Sequence, residues 1–248
     1  MKKELIKSII EWSVRAWETA VALLFPRRCP VCDDIVTPFA EKICSPCMRK
    51  LKLITPPFCM KCGKKVEEGE EYCEDCKCYR HLFVRGRALY DYGSVAGSLY
   101  RFKYGKRKEY ADFFGEEMAT YLRTYIDDTG AEALIPVPLH YKRRCARGYN
   151  QAQELARVLG RHIGLPVYGK YLERVRATKP LKHLSPRERQ NNLKKAFIIR
   201  QNDVKLKVVL LVDDIYTTGS TVNEIAKVLL EAGVEKVYFL TLSCGASL

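Results

Sequence analysis

At 248 residues, the chain is long enough for one large domain or for two smaller ones. Hydrophobic residues make up 47% of it and charged residues 29%, proportions that exclude collagen-like, mucin-like and wholly disordered classes of protein. Its 43 Lys and Arg against 29 Asp and Glu leave a net charge of +14, which favours an anionic partner such as a phosphate, a nucleotide, a nucleic acid or an acidic lipid.

Residues 1–25 have the pattern of an amphipathic helix. The charges at Lys7, Glu11, Arg15 and Glu18 recur at steps of four, four and three, so they share one helical face. The uncharged stretch at 19–25 is much shorter than the ~20 residues that a membrane span requires. We therefore predict a helix that packs on the protein's own body or on another subunit, with a helix on a membrane surface as the alternative. These residues carry no secretory signal, so we expect a cytoplasmic protein.

The next predicted domain, residues 26–80, contains eight of the eleven cysteines in four Cys-x2-Cys pairs. Two such turns supply the four thiolates of a tetrahedral zinc site, so four turns indicate two structural zinc ions with no open position for catalysis. Consecutive pairing closes shorter loops and is favoured over a cross-braced arrangement. A disulfide framework is less favoured in a cytoplasmic chain. The predicted ligands are Cys29, Cys32, Cys44 and Cys47 at one site, and Cys59, Cys62, Cys73 and Cys76 at the other.

Residues 81–248 form the third predicted domain and carry most of the positive charge, with 28 Lys and Arg against 17 Asp and Glu. Strand-length apolar runs alternate there with helical patterns, which is typical of an α/β fold with a parallel sheet and helices on both faces. Ligands of such folds bind at the carboxyl ends of the strands. The predicted strands are Val84–Tyr92, Ala133–Val137, Val167–Leu172, Lys195–Ile199, Lys207–Val212 and Lys236–Ser243, and the predicted helices are Ser94–Tyr104, Glu109–Tyr125, Gly148–Ile163 and Thr221–Ala232.

The segment Val208–Thr221 is the most informative part of the chain. A buried strand is followed by Asp213 and Asp214, and then by a hydroxyl-rich loop around Gly219 that opens a helix, with Thr221 as the first residue of a predicted capping box. A helix start with free N–H groups and hydroxyls binds phosphate. Two carboxylates would repel that phosphate, but they accept hydrogen bonds from ribose hydroxyls. The pattern therefore predicts a sugar-phosphate site, with a ligand-free, Asp-rich turn as the alternative.

This segment resembles the phosphoribosyl pyrophosphate (PRPP) motif of type I phosphoribosyltransferases. Together with the four cysteine pairs, the chain is similar to the ComF family of competence proteins, which join a double zinc ribbon to such a domain and several of which are implicated in bacterial DNA uptake. The resemblance covers nearly everything from Leu24 to Ser243. Other matching stretches are Leu24–Pro26, Arg101–Tyr104, Ile135–His140, Arg147–Gln151 and Arg187–Phe197.

The resemblance implies a role for each part of the site. Asp213 and Asp214 would hold the ribose hydroxyls, and a Mg²⁺ ion would bridge ribose and pyrophosphate oxygens. The segment Arg174–Asn192 would be the mobile loop that closes over the site. The 5′-phosphate would lie on Tyr216, Thr217, Thr218, Gly219, Ser220 and Thr221, and the pyrophosphate on a loop formed by Val137, Pro138, Leu139 and His140.

Two departures from the family pattern bear on the acceptor. Purine-using relatives carry an acid at the position of Thr217, so a purine acceptor is not supported, and the family often carries Gln near Leu181. The catalytic residue is unknown. His140 and His183 are the candidates, each with a structural or surface role as the alternative.

Basic clusters with interleaved tyrosines also occur in the third domain, an arrangement used to bind single-stranded nucleic acid. A solvated surface or the pyrophosphate pocket itself would explain the same charge. The nucleic-acid candidates are Arg101, Lys103, Arg143, Arg144, Arg147 and Tyr149.

Two functions remain open from the sequence. One is a Mg²⁺-dependent phosphoribosyltransferase with an unknown acceptor. The other is a non-catalytic component of DNA uptake that binds single-stranded DNA and retains PRPP binding. The resemblance also implies DNA-uptake machinery at the inner membrane as a partner, peripheral association with that membrane, and a homo-oligomer as a further arrangement.

Overall fold

The computed structural model describes residues 26–38, 41–176, 196–200 and 204–245, and positions 12 and 24. The chain divides into two compact units, Met1–Lys50 and Leu51–Leu248. The predicted N-terminal helix and most of the predicted mobile loop, including Leu181 and His183, lie outside the described residues. The predicted domain bounds, 1–25, 26–80 and 81–248, stay a prediction, and the division after Lys50 differs from them.

The first unit is built around the first four cysteines. A tight turn carries Cys29 and Cys32, and the backbone N–H of Cys29 donates to the carbonyl of Asp34 at 2.8 Å. The second pair lies on a one-turn helix, α1 (Ser45–Met48), which begins directly after Cys44. The first cysteine of the turn, Cys29, and the last one of the helix, Cys47, are both buried.

The second unit contains a four-stranded parallel sheet with the strand order β1-β6-β5-β2. One of its two inner strands begins with an apolar run, and Val209–Val212 of that run are completely buried between the layers. Strands β3 and β4 pair antiparallel as a separate two-stranded sheet. The strands are β1 (Gly86–Asp91), β2 (Ala133–Pro136), β3 (Leu172–Arg174), β4 (Phe197–Ile199), β5 (Val208–Tyr216) and β6 (Lys236–Cys244).

Helices follow the strands, which confirms the predicted α/β class with a parallel sheet. No helix within the described ranges has the length and apolar composition needed to cross a membrane. The helices of the second unit are α2 (Glu74–Cys78), α3 (Tyr92–Tyr104), α4 (Tyr110–Tyr121), α5 (Arg123–Thr129), α6 (Tyr141–Arg147), α7 (Gln151–Ile163) and α8 (Ser220–Glu231).

Four details differ from the sequence predictions. The predicted strand Val167–Leu172 is wrong: Val167 forms only an isolated bridge with Leu134, and a turn follows it before β3. The predicted helix Glu109–Tyr125 is broken at Leu122, after which α5 buries Tyr125. Helix α6 was not predicted. Strand β5 continues through both aspartates as far as Tyr216, because β6 pairs with it over that whole length.

Candidate functional site

Each set of four cysteines forms one cluster. In both clusters, all four Sγ atoms lie within 4.8 Å of one another. Consecutive Cys-x2-Cys turns are therefore paired, as predicted, and the cross-braced arrangement is excluded. Four sulfurs at this separation fit a tetrahedral Zn²⁺ with Zn–S bonds of about 2.3 Å. Both clusters thus fit structural zinc sites of the ribbon type.

The second cluster, which we call the second ribbon (residues 59–76), packs directly on the parallel sheet. Gly63 has φ +76°, and a Cβ there would lie 2.8 Å from the carbonyl oxygen of Gly86 in β1. The N–H of Gly86 donates to the carbonyl of Lys61 at 2.9 Å. Only glycine fits this approach without displacing backbone. The ribbon and the sheet therefore share one interior, with Cys59 and Phe83 both completely buried in it.

A buried ion pair connects the second ribbon to the end of β5. The Nζ of Lys64 lies 2.6 Å from Asp75 Oδ2, with both side chains almost inaccessible, and the same Nζ lies 5.8 Å from the ring centroid of Tyr216. That ring stacks on Phe239 at 4.7 Å. The ribbon thus packs against the residue that leads into the predicted phosphate-binding loop.

Asp213 and Asp214 lie within the last residues of β5, at its carboxyl end. Successive residues of a strand face opposite sides, so the two carboxylates have different surroundings. The N–H of Asp214 donates to Asp213 Oδ1 at 2.8 Å. Oδ2 of Asp214 forms an ion pair with Lys103 Nζ at 3.0 Å.

The surroundings of Asp213 raise its pKa. Burial, and next the neighbouring Asp214 carboxylate, raise the pKa of Asp213 to about 7, against the opposing effects of Lys103 and Arg174. Arg174, at the end of β3, is itself buried, and burial lowers its pKa to about 10. A negative charge on Asp213 is thus costly in the free chain.

This shift predicts a pH-dependent stability. The pKa of Asp213 in the folded chain lies above its usual value of 3.8, so the folded chain binds more protons than the unfolded chain between about pH 4 and pH 7. The free energy of unfolding therefore falls as pH rises through that window. Asp213→Asn should therefore stabilise the ligand-free chain at pH 7.5 by about 1–2 kcal/mol, allowing for partial solvent exposure.

Thermal melts at several pH values would measure this effect. The gain should shrink toward zero below about pH 4, where the unfolded carboxyl is protonated as well. Asp127→Asn, at an exposed carboxylate on α5, should change the free energy of unfolding by less than about 0.5 kcal/mol. An Asp213→Asn variant no more stable than wild type at pH 7.5 would contradict the raised pKa.

The loop that follows β5 is a turn around Gly219, which is the N-cap of α8 with φ +76° and provides no side-chain cap. The predicted capping box at Thr221 is wrong, because the helix begins at Ser220. Hydroxyls of Thr218 and Ser220 lie 3.0 Å apart. Side-chain hydroxyls and helix N–H groups therefore occur together here, the combination that holds a phosphate group.

A second loop lies beside β5. The N–H of Val137 donates to the carbonyl of Val212 at 2.9 Å, so the predicted pyrophosphate loop, Val137–His140, begins next to the two aspartates. The side chain of Asn150 donates from Nδ2 to the carbonyl of Val137 at 2.9 Å. His140 is the N-cap of α6, and its Nδ1 accepts from the N–H of Lys142.

The nucleic-acid candidates have divergent positions. Lys103 contacts Asp214, the Tyr149 hydroxyl donates to the carbonyl of Phe102, and Arg147 donates to Gln151 at 2.9 Å. Arg144 is exposed on α6, whereas Arg101 and Arg143 are half-buried. Sequence reasoning missed the pairing of Lys103 with Asp214 and the burial of Arg174 near Asp213, since no local pattern marks either contact.

Comparison with known proteins agrees with this structure. A double zinc ribbon domain model matches residues 20–77, and a phosphoribosyl transferase domain model matches residues 146–245. The fold and the site thus define a zinc-ribbon protein with a phosphoribosyltransferase-type domain.

Relatives cover most of the chain. Competence protein F of Haemophilus influenzae is 30% identical over 226 residues, which is 86% of this chain and 95% of that protein. Competence protein ComFC of Bacillus subtilis is 31% identical over 201 residues, 78% of this chain and 80% of that protein. DNA utilization protein YhgH of Escherichia coli K12 is 31% identical over 199 residues, with coverages of 79% and 87%. The chain therefore belongs to the ComF family of competence proteins.

Proposed function

We propose that this protein binds PRPP with Mg²⁺ at the carboxyl end of β5 and acts in DNA uptake during natural competence. The observation that carries the PRPP proposal is the order in which polar groups follow one another at the carboxyl end of β5. Two carboxylates lie near the carboxyl end of β5. Gly219, in the left-handed conformation, then leads into a twelve-residue helix that has no side-chain cap. Carboxylates suit a ribose diol, and uncapped helix N–H groups suit the 5′-phosphate.

Each part of PRPP has a counterpart in this arrangement. Asp213 and Asp214 accept hydrogen bonds from the ribose hydroxyls, and the loop at 217–221 holds the 5′-phosphate. The pyrophosphate lies on Val137–His140, which begins beside Val212 of β5. Mg²⁺ would be held mainly through oxygens of the bound PRPP, in line with its preference for hard oxygen donors, and would neutralise charge on the pyrophosphate.

The reaction that such a site supports is pentosyl transfer to an acceptor that is not yet identified. Pyrophosphate departs from the anomeric carbon, and catalysis depends on positioning the reactants and on stabilising the developing charge. Thr217 offers no acid to a purine nitrogen, so the proposal does not name a purine as the acceptor.

Calorimetric titration of the zinc-loaded chain tests the proposal. Mg-PRPP should bind with a stoichiometry of one, and the Tm should rise with PRPP concentration by mass action. ATP with Mg²⁺ keeps the ribose diol but carries a base in place of the pyrophosphate at the anomeric carbon and a triphosphate in place of the 5′-monophosphate. It should bind at least about tenfold more weakly, since one lost charge-assisted hydrogen bond has an effect of that size. Equal affinity for the two ligands would argue against a PRPP site.

The names of the relatives refer to competence and to DNA utilization. They support the proposed role in DNA uptake, with the uptake machinery as the expected partner.

Single-stranded DNA binding is the second candidate function, and a specific surface favours it. Tyr100 and Tyr104 are 65% and 60% exposed, with ring centroids 5.2 Å apart, and the Arg147 guanidinium lies 5.1 Å from the Tyr104 centroid. Exposed rings beside a cation are a stacking platform for bases.

This surface predicts how DNA affinity depends on salt. Arg144→Glu, at an exposed position of α6, should weaken binding of all sequences alike and flatten the plot of log affinity against log salt by about 0.7 per lost phosphate contact. Tyr104→Ala should lower the affinity by about tenfold while leaving the slope unchanged, because stacking releases no counterions. A filter-binding series with oligo-dT measures both effects. No binding at the lowest salt would remove this candidate function and leave the PRPP proposal intact.

A further inference from the structure

Lys103 occupies a position unlike that of the other lysines near it. Its Nζ lies 3.0 Å from Asp214 Oδ2, and the two side chains are only 18% and 10% exposed. Lys106, three residues further along, is exposed to solvent. An ion pair withdrawn from water costs desolvation energy that a surface pair does not. Such a pair therefore belongs to the interior of the site and not to a basic surface.

The end of α3 is fixed so that Lys103 reaches Asp214. Residue Phe102 is completely buried, and its carbonyl accepts hydrogen bonds from the Tyr149 hydroxyl and from Gln151 Nε2, the latter at 3.2 Å. The rings of Phe102 and Tyr149 are 5.7 Å apart. Two stretches distant in sequence, 101–104 and 147–151, thus meet, and their contacts place the lysine over the end of β5.

The same stretch at 147–151 also supports the pyrophosphate loop. Asn150 donates to the carbonyl of Val137 while its Oδ1 accepts the N–H of Ala152 at the start of α7. Val137 in turn pairs with Val212, the residue before Asp213. One segment therefore contacts both the helix end that carries Lys103 and the loop proposed to bind pyrophosphate.

Binding of a ribose diol changes the partners of Asp214. A carboxylate oxygen that accepts a sugar hydroxyl gives up part of its interaction with the ammonium, and a pyrophosphate bound next to it offers a more highly charged partner. A lysine side chain carries its ammonium on a flexible four-carbon stem, so it reaches a new acceptor without backbone movement.

We propose that Lys103 is a pyrophosphate-binding residue of this site, paired with Asp214 in the free chain and with the pyrophosphate group when PRPP is bound. This proposal rests on the proposed PRPP function. It predicts selectivity between two ligands that share ribose and 5′-phosphate: Lys103 contributes to the affinity for PRPP, and it contributes little to that for ribose 5-phosphate, which lacks pyrophosphate.

Calorimetry on the full, zinc-loaded chain with Mg-PRPP and with ribose 5-phosphate tests the assignment. Lys103→Met should weaken PRPP binding by about tenfold or more, the loss expected for one charge-assisted hydrogen bond, and should change the affinity for ribose 5-phosphate by less than about threefold. Lys103→Arg should restore most of the PRPP affinity because it keeps the charge. The exposed control, Lys106→Met, should bind both ligands as wild type does.

The outcomes are distinguishable. If Lys103→Met loses the same affinity for both ligands, Lys103 only maintains the structure around Asp214. If Lys103→Met binds PRPP more tightly than wild type does, the ion pair competes with the ligand. Either result overturns the proposal. Unchanged PRPP binding by Lys103→Met overturns the role of Lys103 alone. A wild-type chain that binds no PRPP overturns the proposed function together with it.

Discussion

Cys59→Ser should unfold the domain that carries the parallel sheet, whereas Cys29→Ser should leave that domain folded. The two cysteines are matched, since each is the first ligand of its cluster and completely buried. Only Cys59 belongs to the second ribbon, which shares the interior of the sheet with Phe83 and Phe239. A structural zinc contributes about 10–16 kcal/mol of apparent binding free energy, a magnitude comparable with the entire stability of most domains, about 5–15 kcal/mol.

Zinc content, circular dichroism and thermal melting measure this difference. Wild type should contain two zinc ions per chain, in keeping with the two clusters, and each variant should contain fewer. Cys29→Ser should keep the main melting transition and the ability to bind PRPP, because its cluster lies in the other compact unit. If both variants melt alike, or if wild type contains no zinc, the distinction between the two ribbons is wrong.

Gly219→Val should abolish PRPP binding, with an affinity loss of at least about 100-fold, or roughly 3 kcal/mol. Two causes combine. A residue with φ +76° is strained for any side chain with a branched Cβ, and a Cβ here would lie 2.5 Å from the Tyr216 hydroxyl. Because Tyr216 is held by Phe239 and by the second ribbon, the loop has to move instead, and its N–H groups lose their alignment.

Gly164→Val is the matched control for backbone strain. Gly164 caps α7 with φ +79°, but a Cβ there would meet nothing within 4 Å. Both variants should lose about 1–2 kcal/mol of stability from the left-handed conformation, as measured by denaturant unfolding. Calorimetry should find PRPP binding intact in Gly164→Val only. Equal PRPP affinities for Gly219→Val and wild type would place the phosphate elsewhere.

The elements nearest the site were predictable from the sequence because their patterns are local. The apolar run 208–212, the two aspartates and Gly219 occur within twelve residues. The spacing of the Cys-x2-Cys turns indicates metal binding by itself. The fold class and the consecutive pairing of the Cys-x2-Cys turns into two four-cysteine clusters are confirmed. Strand β5 was predicted too short, since the pairing of Asp213 with Thr241 of β6 depends on a distant strand and polar residues weaken the strand pattern.

Contacts between distant segments were not predictable. In the sequence, Lys103 and Tyr149 are a cation and an aromatic residue within a basic segment. Composition alone therefore predicts that both bind nucleic acid. The structure places Lys103 on Asp214 and the Tyr149 hydroxyl on the carbonyl of Phe102. Each contact joins residues more than forty positions apart, so no window of sequence contains both partners. The exposed rings of Tyr100 and Tyr104 beside Arg147, together with Arg144 exposed on α6, still favour the nucleic-acid hypothesis. A nucleic-acid role for Arg101 and Arg143 stays a prediction.

The second ribbon shows the same limit at a larger scale. Its cysteine spacing differs from that of the first ribbon by a single residue, and both ribbons were predicted as one domain. Gly63 against Gly86 and Lys64 against Tyr216 join the second ribbon to the sheet. The only local sign of this packing was Gly63 followed by Lys64. A glycine is common in turns, so it did not mark the contact with the sheet.

A crystal structure of the zinc-loaded chain with Mg-PRPP tests the central claim most directly. We predict ribose hydroxyls on the carboxylates of Asp213 and Asp214, and the 5′-phosphate on the N–H groups that follow Gly219. The pyrophosphate should lie between Val137–His140 and the ammonium of Lys103. Density for PRPP at any other place on the chain, with this edge of the sheet occupied only by water, would contradict the account.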